Sequence, residues 1–393
     1  MLQDQASEDR RISSCIKAQL CGSCSYIGVS YDEQLLKKQD RFVRLFQGID
    51  CEIQPIIGAD DPFYYRNKVH AAFGRFKGNI ISGTYAEGSH RIIQNDNCII
   101  EDKIASAIIA DIRKLAGDFK LPVYDEKTRN GLIRRVLIRR AVSTGEVLVV
   151  IVNGNTFFPG KKNFISGLRK LHPEITTVVI NINDRTDSMI LGKRSETAYG
   201  PGFITDELCG LKFRISAESF YQINHAQTER LYAKAMALAE LKNDDRVLDA
   251  YCGIGTIGMV ASKIAGEVTG VELNKSAVED AVINRKINNR KNIRFVCADA
   301  TRYINDAASR GEKYDVVFLD PPRSGTTDSF IKAVATLKAE RVVYISCEPE
   351  TLARDLRIFS KSGYKVKTAV PVDMFPWTDS TEAIALLVRD NVG

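Results

Sequence analysis

RVLDAYCGIGTIG, Arg246–Gly258, decides the fold of this chain. A short apolar run stops at a polar position and passes into Gly253 and Gly255, which let the backbone turn sharply and approach a ligand closely. With Gly258 counted, the spacing is G-x-G-x-x-G, a weak signal by itself. Runs of the same kind recur downstream as EVTGVE, IRFVCAD, YDVVFLD and RVVYIS, about 20–28 residues apart. The gaps carry helical periodicity, as in SAVEDAVINRKIN. Alternating β and α of this kind predicts a parallel, doubly wound sheet, an α/β fold of the Rossmann-like type. YKVKTAV and TEAIALLV follow, separated by a short Pro-containing segment, and predict two added edge strands, the last antiparallel.

In an open parallel sheet, ligands bind beyond the carboxyl ends of the strands. Here those ends supply DAYCGIGT, Glu272, Asp299, the run DPPR at Asp320–Arg323, and Cys347. Glu272 stands about 20 residues past the glycine loop, where such a unit places a ribose-binding carboxylate. The loop alone admits a dinucleotide or S-adenosylmethionine. DPPR favours the methyl donor, because a carboxylate followed by two prolines makes a rigid strand-terminal loop with few N–H donors. An aromatic after the prolines would point to methylation of an exocyclic amine; Arg323 stands there instead. Cys347 ends an apolar run and is followed by polar residues and a Pro, a position where a thiol is more than core filling.

The chain has 393 residues, 44% hydrophobic and 26% charged, with a net charge of +6. That length predicts ~2–3 domains, and the mild basic excess permits a nucleic-acid partner. No apolar run approaches the ~18 residues of a membrane helix. The N-terminus carries no secretory h-region, so a soluble, cytoplasmic protein is expected. Three regions separate by pattern: a Cys-bearing segment over 1–60, with a helix over Asp32–Phe46; a mixed α+β region over 61–215; and the methyl-donor domain over 216–393. Arg134, Arg135, Arg139 and Arg140 fall in a strand whose period-2 pattern places arginines on its rim. Nine cysteines without a secretory signal argue for metal binding, catalysis or burial rather than disulfides. Cys15, Cys21 and Cys24, spaced C-x5-C-x2-C, can converge on one metal; zinc and a 4Fe–4S cluster both accept four thiolates, and Cys51 or Cys98 can complete the set. Cys209, Cys252 and Cys297 read as buried.

These residues resemble the S-adenosylmethionine-dependent RNA 5-methyluridine methyltransferases. The likeness runs through VLDAYCGIGT, VExNxxAVEDA, LDPPRSG and SCEPETLARDL, with SFYQIN upstream and TEAIALLV at the end. It extends to the N-terminal cysteines and to YRNK at 65–68, hence to nearly the whole chain.

The resemblance implies that Cys347 adds to C6 of uracil and that Glu382 removes the C5 proton. By the same likeness Gln222, Tyr251, Glu272 and Asp320 line the donor pocket, with Thr256 and Asp299 as further candidates. It selects Cys98 as the fourth cluster ligand and iron–sulfur as the metal. The cysteine set is a feature of ribosomal RNA members, so 23S rRNA is the expected substrate, ahead of the tRNA T-loop. Two departures stand out. Only 14 residues precede Cys15, so an OB-like RNA-binding module is not expected there, and the arginine-rich strand and Tyr64–Lys68 become the expected RNA grip. Glu348 follows the nucleophile where many relatives have Asn, and a carboxylate aimed at the thiol would raise its pKa; Glu348 is expected to point away.

Overall fold

The structure, a computed structural model, describes residues 15, 17–155, 157–187 and 189–390. It divides into two compact units, Met1–Ser30, Asp61–Glu207 and Arg214–Glu218 in one, and Tyr31–Asp60, Leu208–Phe213 and Ser219–Gly393 in the other. The division cuts through the 1–60 segment of the sequence pattern. The segment from Tyr31 to Asp60 groups with the C-terminal residues because Phe42 and Phe46, 1% and 2% exposed, belong to that unit's hydrophobic core.

The C-terminal unit is built on one eight-stranded sheet. Its order is Glu52–Ile53, Tyr364–Val372, Glu382–Arg389, Arg341–Ser346, Val316–Leu319, Arg246–Ala250, Glu267–Glu272 and Ile293–Cys297. The last five in that order run parallel. Val316–Leu319 is buried along its whole length, as a central parallel strand covered on both faces must be. Crossover helices lie between the strands and start on side-chain caps: Asn274, Asp299 and Thr327 accept backbone N–H groups of the helices Lys275–Ile287, Ala300–Ser309 and Asp328–Leu337.

The two final strands differ from expectation. Glu382–Arg389 is antiparallel to both neighbours, as its place in the chain suggested, but it lies inside the sheet, between Arg341–Ser346 and Tyr364–Val372. The edge is Glu52–Ile53, which pairs in parallel with Tyr364–Val372. A strand this apolar, with Glu382 through Ala385 buried, requires neighbours on both sides.

The other unit holds a seven-stranded mixed sheet, ordered Ile92–Ile93, Asn79–Tyr85, Lys68–Phe76, Ile133–Arg140, Val147–Asn153, Ile175–Ile182 and Arg194–Tyr199. Helices Lys103–Asp118 and Lys161–Leu171 pack their apolar sides into its core. The arginines of Ile133–Arg140 do not form one exposed rim: two are buried and two half-buried. Arg134 and Arg139 are 3% and 4% exposed. The Arg134 guanidinium donates to the Asn183 and Arg185 carbonyls and pairs with Glu126, and Arg140 pairs with Asp102. Arg134 and Arg140 thus tie loops to the sheet, and Arg135 is half-buried.

Candidate active site and cysteine cavity

Strand register assembles the crevice. Ala250 pairs with Leu319 on one side and Val271 on the other, so Tyr251, Asp320 and Glu272 leave the sheet side by side. This is where the strand order reverses, the usual ligand site of a doubly wound sheet. Gly255 has φ +87°, and a Cβ there would lie 2.5 Å from the Phe295 ring, so the loop needs glycine twice over. Tyr251 also adopts a left-handed φ of 65°. Glu272 holds the loop from below, accepting the Gly253 N–H at 3.1 Å and the Asn274 N–H at 2.7 Å.

Tyr251 and Thr256 belong to this loop and to the helix that follows it. The Tyr251 hydroxyl lies 3.1 Å from Thr326 Oγ1, and Thr256 Oγ1 lies 2.9 Å from the Tyr232 hydroxyl. Asp299 is the cap of its helix and accepts the Arg302 N–H at 2.8 Å, so one of its oxygens is already engaged. Gln222 is buried in the loop ahead of the helix His225–Ala239. Asp249 escaped the sequence reading. It is wholly buried, accepts the Gly258 N–H at 2.7 Å, and is pushed up to about 8 by burial, with Asp320 and Glu272 adding to the shift. The signal was its place in LDAYCGIG, inward-facing and four residues before Gly253. Burial lifts Asp320 to about 7.

A second ladder sets the thiol and the remaining carboxyl. Ser346 pairs with Ala383 across antiparallel strands, so Cys347, one residue after Ser346, and Glu382, one residue before Ala383, stand at the same end. Cys347 is half-buried. Its thiol is pushed up to about 11, first by burial and then by Glu382 and Asp320, while Arg323 pulls the other way. Glu382 is 2% exposed, its Oε2 has no hydrogen-bond partner, and burial lifts it to about 8, with Asp320 adding and Arg323 opposing. Glu348 hydrogen-bonds to the Glu350 side chain and is raised to about 6. Cys347 and Arg323 line a cavity of ≈ 200 Å³ together with Lys38, Arg41 and Phe42, which the sequence reading had left out of the site.

In the other unit Cys15, Cys21, Cys24 and Cys98 line one cavity of ≈ 180 Å³, with Arg66 and Lys68 in its wall. Burial pushes Cys24 and Cys98 up to about 12, and the neighbouring thiols add to the shift at Cys24. Among the described residues, no three Cys, His, Asp or Glu side chains converge as on a single metal ion. Tyr64 and Arg66 are held by backbone bonds to Ile99 and Ile100, and Lys103 lies 4.1 Å over the Tyr64 ring. Of the other cysteines, Cys252 is buried and Cys209 half-buried, but Cys297 is exposed, because it ends the strand at the sheet edge.

The sheet order and the crevice define a class I, S-adenosylmethionine-dependent methyltransferase. A family described as tRNA (Uracil-5-)-methyltransferase matches residues 204–390. An uncharacterized RNA methyltransferase of Halalkalibacterium halodurans is 38% identical over 391 residues, which is 98% of this chain and 85% of that protein. One from Staphylococcus aureus strain COL is also 38% identical, over 97% of this chain and 85% of its own length. Among solved structures, the tRNA (uracil-54, C5)-methyltransferase of Pyrococcus abyssi, in complex with S-adenosyl-L-homocysteine, superposes with a TM-score of 0.76. It is 27% identical, with 93% of this chain and 85% of that one covered. The chain belongs to the RNA uracil-5-methyltransferase family and is an S-adenosylmethionine-dependent RNA methyltransferase. No helix among the described residues is long and apolar enough to cross a membrane.

Proposed function

We propose that the chain methylates C5 of a uridine in 23S rRNA, with Cys347 as nucleophile and Glu382 as proton acceptor. The observation that carries the chemistry is the facing of Cys347 and Glu382 at the end of one ladder, next to Asp320 and Arg323. S-adenosylmethionine, when bound, supplies the methyl group. C5 of uracil is a poor nucleophile; addition of the Cys347 sulfur to C6 places electron density on C5, which then takes the methyl. Glu382 removes the C5 proton, the C5–C6 double bond re-forms, and the Cys347 sulfur leaves. Before addition the thiol proton must depart, and Arg323 is the cation that favours the thiolate. Gln222, Tyr251, Glu272, Asp320, Thr256 and Asp299 are the proposed donor pocket, with Glu272 on the ribose hydroxyls.

The cysteine cavity fits a 4Fe–4S cluster held by Cys15, Cys21, Cys24 and Cys98, which is also the basis for naming 23S rRNA. A single zinc needs its four sulfurs drawn in to about 2.3 Å from one point. The four thiols line one cavity, and four thiolates are the donor set that a 4Fe–4S cluster accepts. Methyl transfer needs no redox step; the proposed role is to tie the Cys15–Cys24 segment to the Cys98 loop. A tRNA substrate is the second reading, favoured by the Pyrococcus abyssi relative. Mass spectrometry of rRNA and tRNA from a strain lacking the gene tests both. Loss of a 5-methyluridine from 23S rRNA supports the first reading, and loss from tRNA alone replaces it with the second.

A further inference from the structure

Helix Tyr31–Leu45 carries Tyr31, Gln34, Lys38 and Arg41, spaced three, four and three residues apart and therefore on one stripe. This stripe faces the segment that joins the strands Tyr364–Val372 and Glu382–Arg389. Lys38 is 1% exposed, and its ammonium donates to Asp373 Oδ1 at 2.6 Å, the Phe375 carbonyl at 3.2 Å and the Ser380 carbonyl at 3.0 Å. An ammonium has three donors, and all of them bind this one segment. The Tyr31 hydroxyl donates to Asp373 Oδ2 at 2.8 Å, and Gln34 Oε1 accepts the Trp377 N–H at 2.6 Å. Trp377 is fully buried with φ 71°, a backbone shape that needs such support.

Both ends of the segment bear on Glu382. Asp373 follows Val372, the ladder partner of Glu382, and Ser380 lies two residues before Glu382. Arg41 reaches further along the same crevice, donating to the Asp379 carbonyl at 3.2 Å and to Glu350 Oε1 at 2.6 Å, three residues beyond Cys347. One helix thus grips the element that delivers the carboxyl and the element that delivers the thiol.

We propose that Lys38 is a positioning residue for the methylation reaction: its clamp on Asp373, Phe375 and Ser380 holds the Glu382 carboxyl where it can take the C5 proton, and Arg41 ties the Cys347 loop to the same helix. This rests on the roles proposed above for Cys347 and Glu382. Freed of Lys38, the segment displaces Glu382 while leaving the donor crevice intact. A shift of about 1 Å in a reacting group costs on the order of 100-fold in rate. The step that suffers is proton removal, after the methyl has moved, so the enzyme stalls as a covalent adduct.

The test uses Lys38→Met and, so that no carboxylate is left buried without its cation, the double variant Lys38→Met/Asp373→Asn. Both are compared with Glu382→Gln on substrate RNA containing ordinary uridine. The expected result is donor affinity by calorimetry within about twofold of wild type, kcat lowered roughly 100-fold with KM for RNA little changed, and an RNA–protein adduct on denaturing gels. Wild-type turnover in the double variant, or lost turnover without adduct while Glu382→Gln accumulates it, overturns the positioning role and leaves the proposed chemistry standing. Loss of donor binding in both variants also overturns it, making the pair a purely structural contact. No adduct in Glu382→Gln removes the chemistry itself, and the positioning role with it.

Discussion

Glu382 opposes the ionisation of Cys347 from across the ladder, second only to burial in lifting the thiol to about 11. Glu382 is itself raised to about 8, so at neutral pH the free protein holds a thiol beside a protonated carboxyl. A thiol titrating near 11 does so with Glu382 ionised, so replacing that carboxyl by an amide removes a negative neighbour and the thiol pKa falls. Alkylation by iodoacetamide, followed against pH, should shift to lower pH in Glu382→Gln and to higher pH in Arg323→Gln. Coincident profiles for all three proteins would show that the charges do not reach the sulfur.

The same carboxyl predicts the pH dependence of adduct release. A carboxyl with pKa about 8 is mostly protonated at pH 7, and only its ionised form accepts a proton. Decay of the methylated adduct in a single turnover should therefore quicken roughly tenfold per pH unit below pH 8 and level off above it. A flat profile from pH 6 to pH 9 would exclude Glu382 as the acceptor.

The parallel sheet and the residues that gather at its strand ends were readable because each strand is a short apolar run that stops at a chemically distinctive residue. The helix over Asp32–Phe46 was readable too, observed as Tyr31–Leu45. Its packing partner was not, since periodicity shows that a helix has a buried side without showing what lies against it. Gln34 and Lys38 are polar yet only 0% and 1% exposed, because their acceptors come from residues more than 330 positions away. Arg134 and Arg139 misled for the related reason that alternation distinguishes the two faces of a strand but not whether both are covered.

Asp320 yields a prediction about the donor. Burial holds its carboxyl at about 7 in the ligand-free protein. A donor carrying a sulfonium and an ammonium draws that value down, so binding near pH 7 should release a fraction of a proton. Calorimetry in buffers of different ionisation enthalpy measures it. Asp320→Asn should abolish most of the release, and S-adenosylhomocysteine, without the sulfonium charge, should release less. Equal release by wild type and Asp320→Asn places the linkage elsewhere.

Cys51 and Cys98 were equivalent on spacing, but only Cys98 lines the cavity with Cys15, Cys21 and Cys24. Cys51 is half-buried beside the strand Glu52–Ile53 in the other unit. Purified without oxygen, Cys98→Ser should lose most of its iron and acid-labile sulfide and its absorbance near 400 nm, while Cys51→Ser should match wild type. Equal iron in both variants would show that Cys98 is not a ligand.

Phe42 tests whether the helix Tyr31–Leu45 is part of the methyltransferase unit or an appendage. It is 1% exposed, stacks on Phe46 at 4.2 Å between ring centroids, and belongs to the same core as Leu248, Leu319 and Tyr344. Truncating a phenylalanine in such a core removes its transfer free energy and leaves a cavity, about 3–5 kcal/mol together. If the helix is integral, Phe42→Ala should lower the urea midpoint of the transition that also releases bound S-adenosylhomocysteine. The slope should stay unchanged, because one cooperative unit still unfolds. A helix docked as an appendage gives a different result: an early transition with a small slope, and donor binding that persists through it.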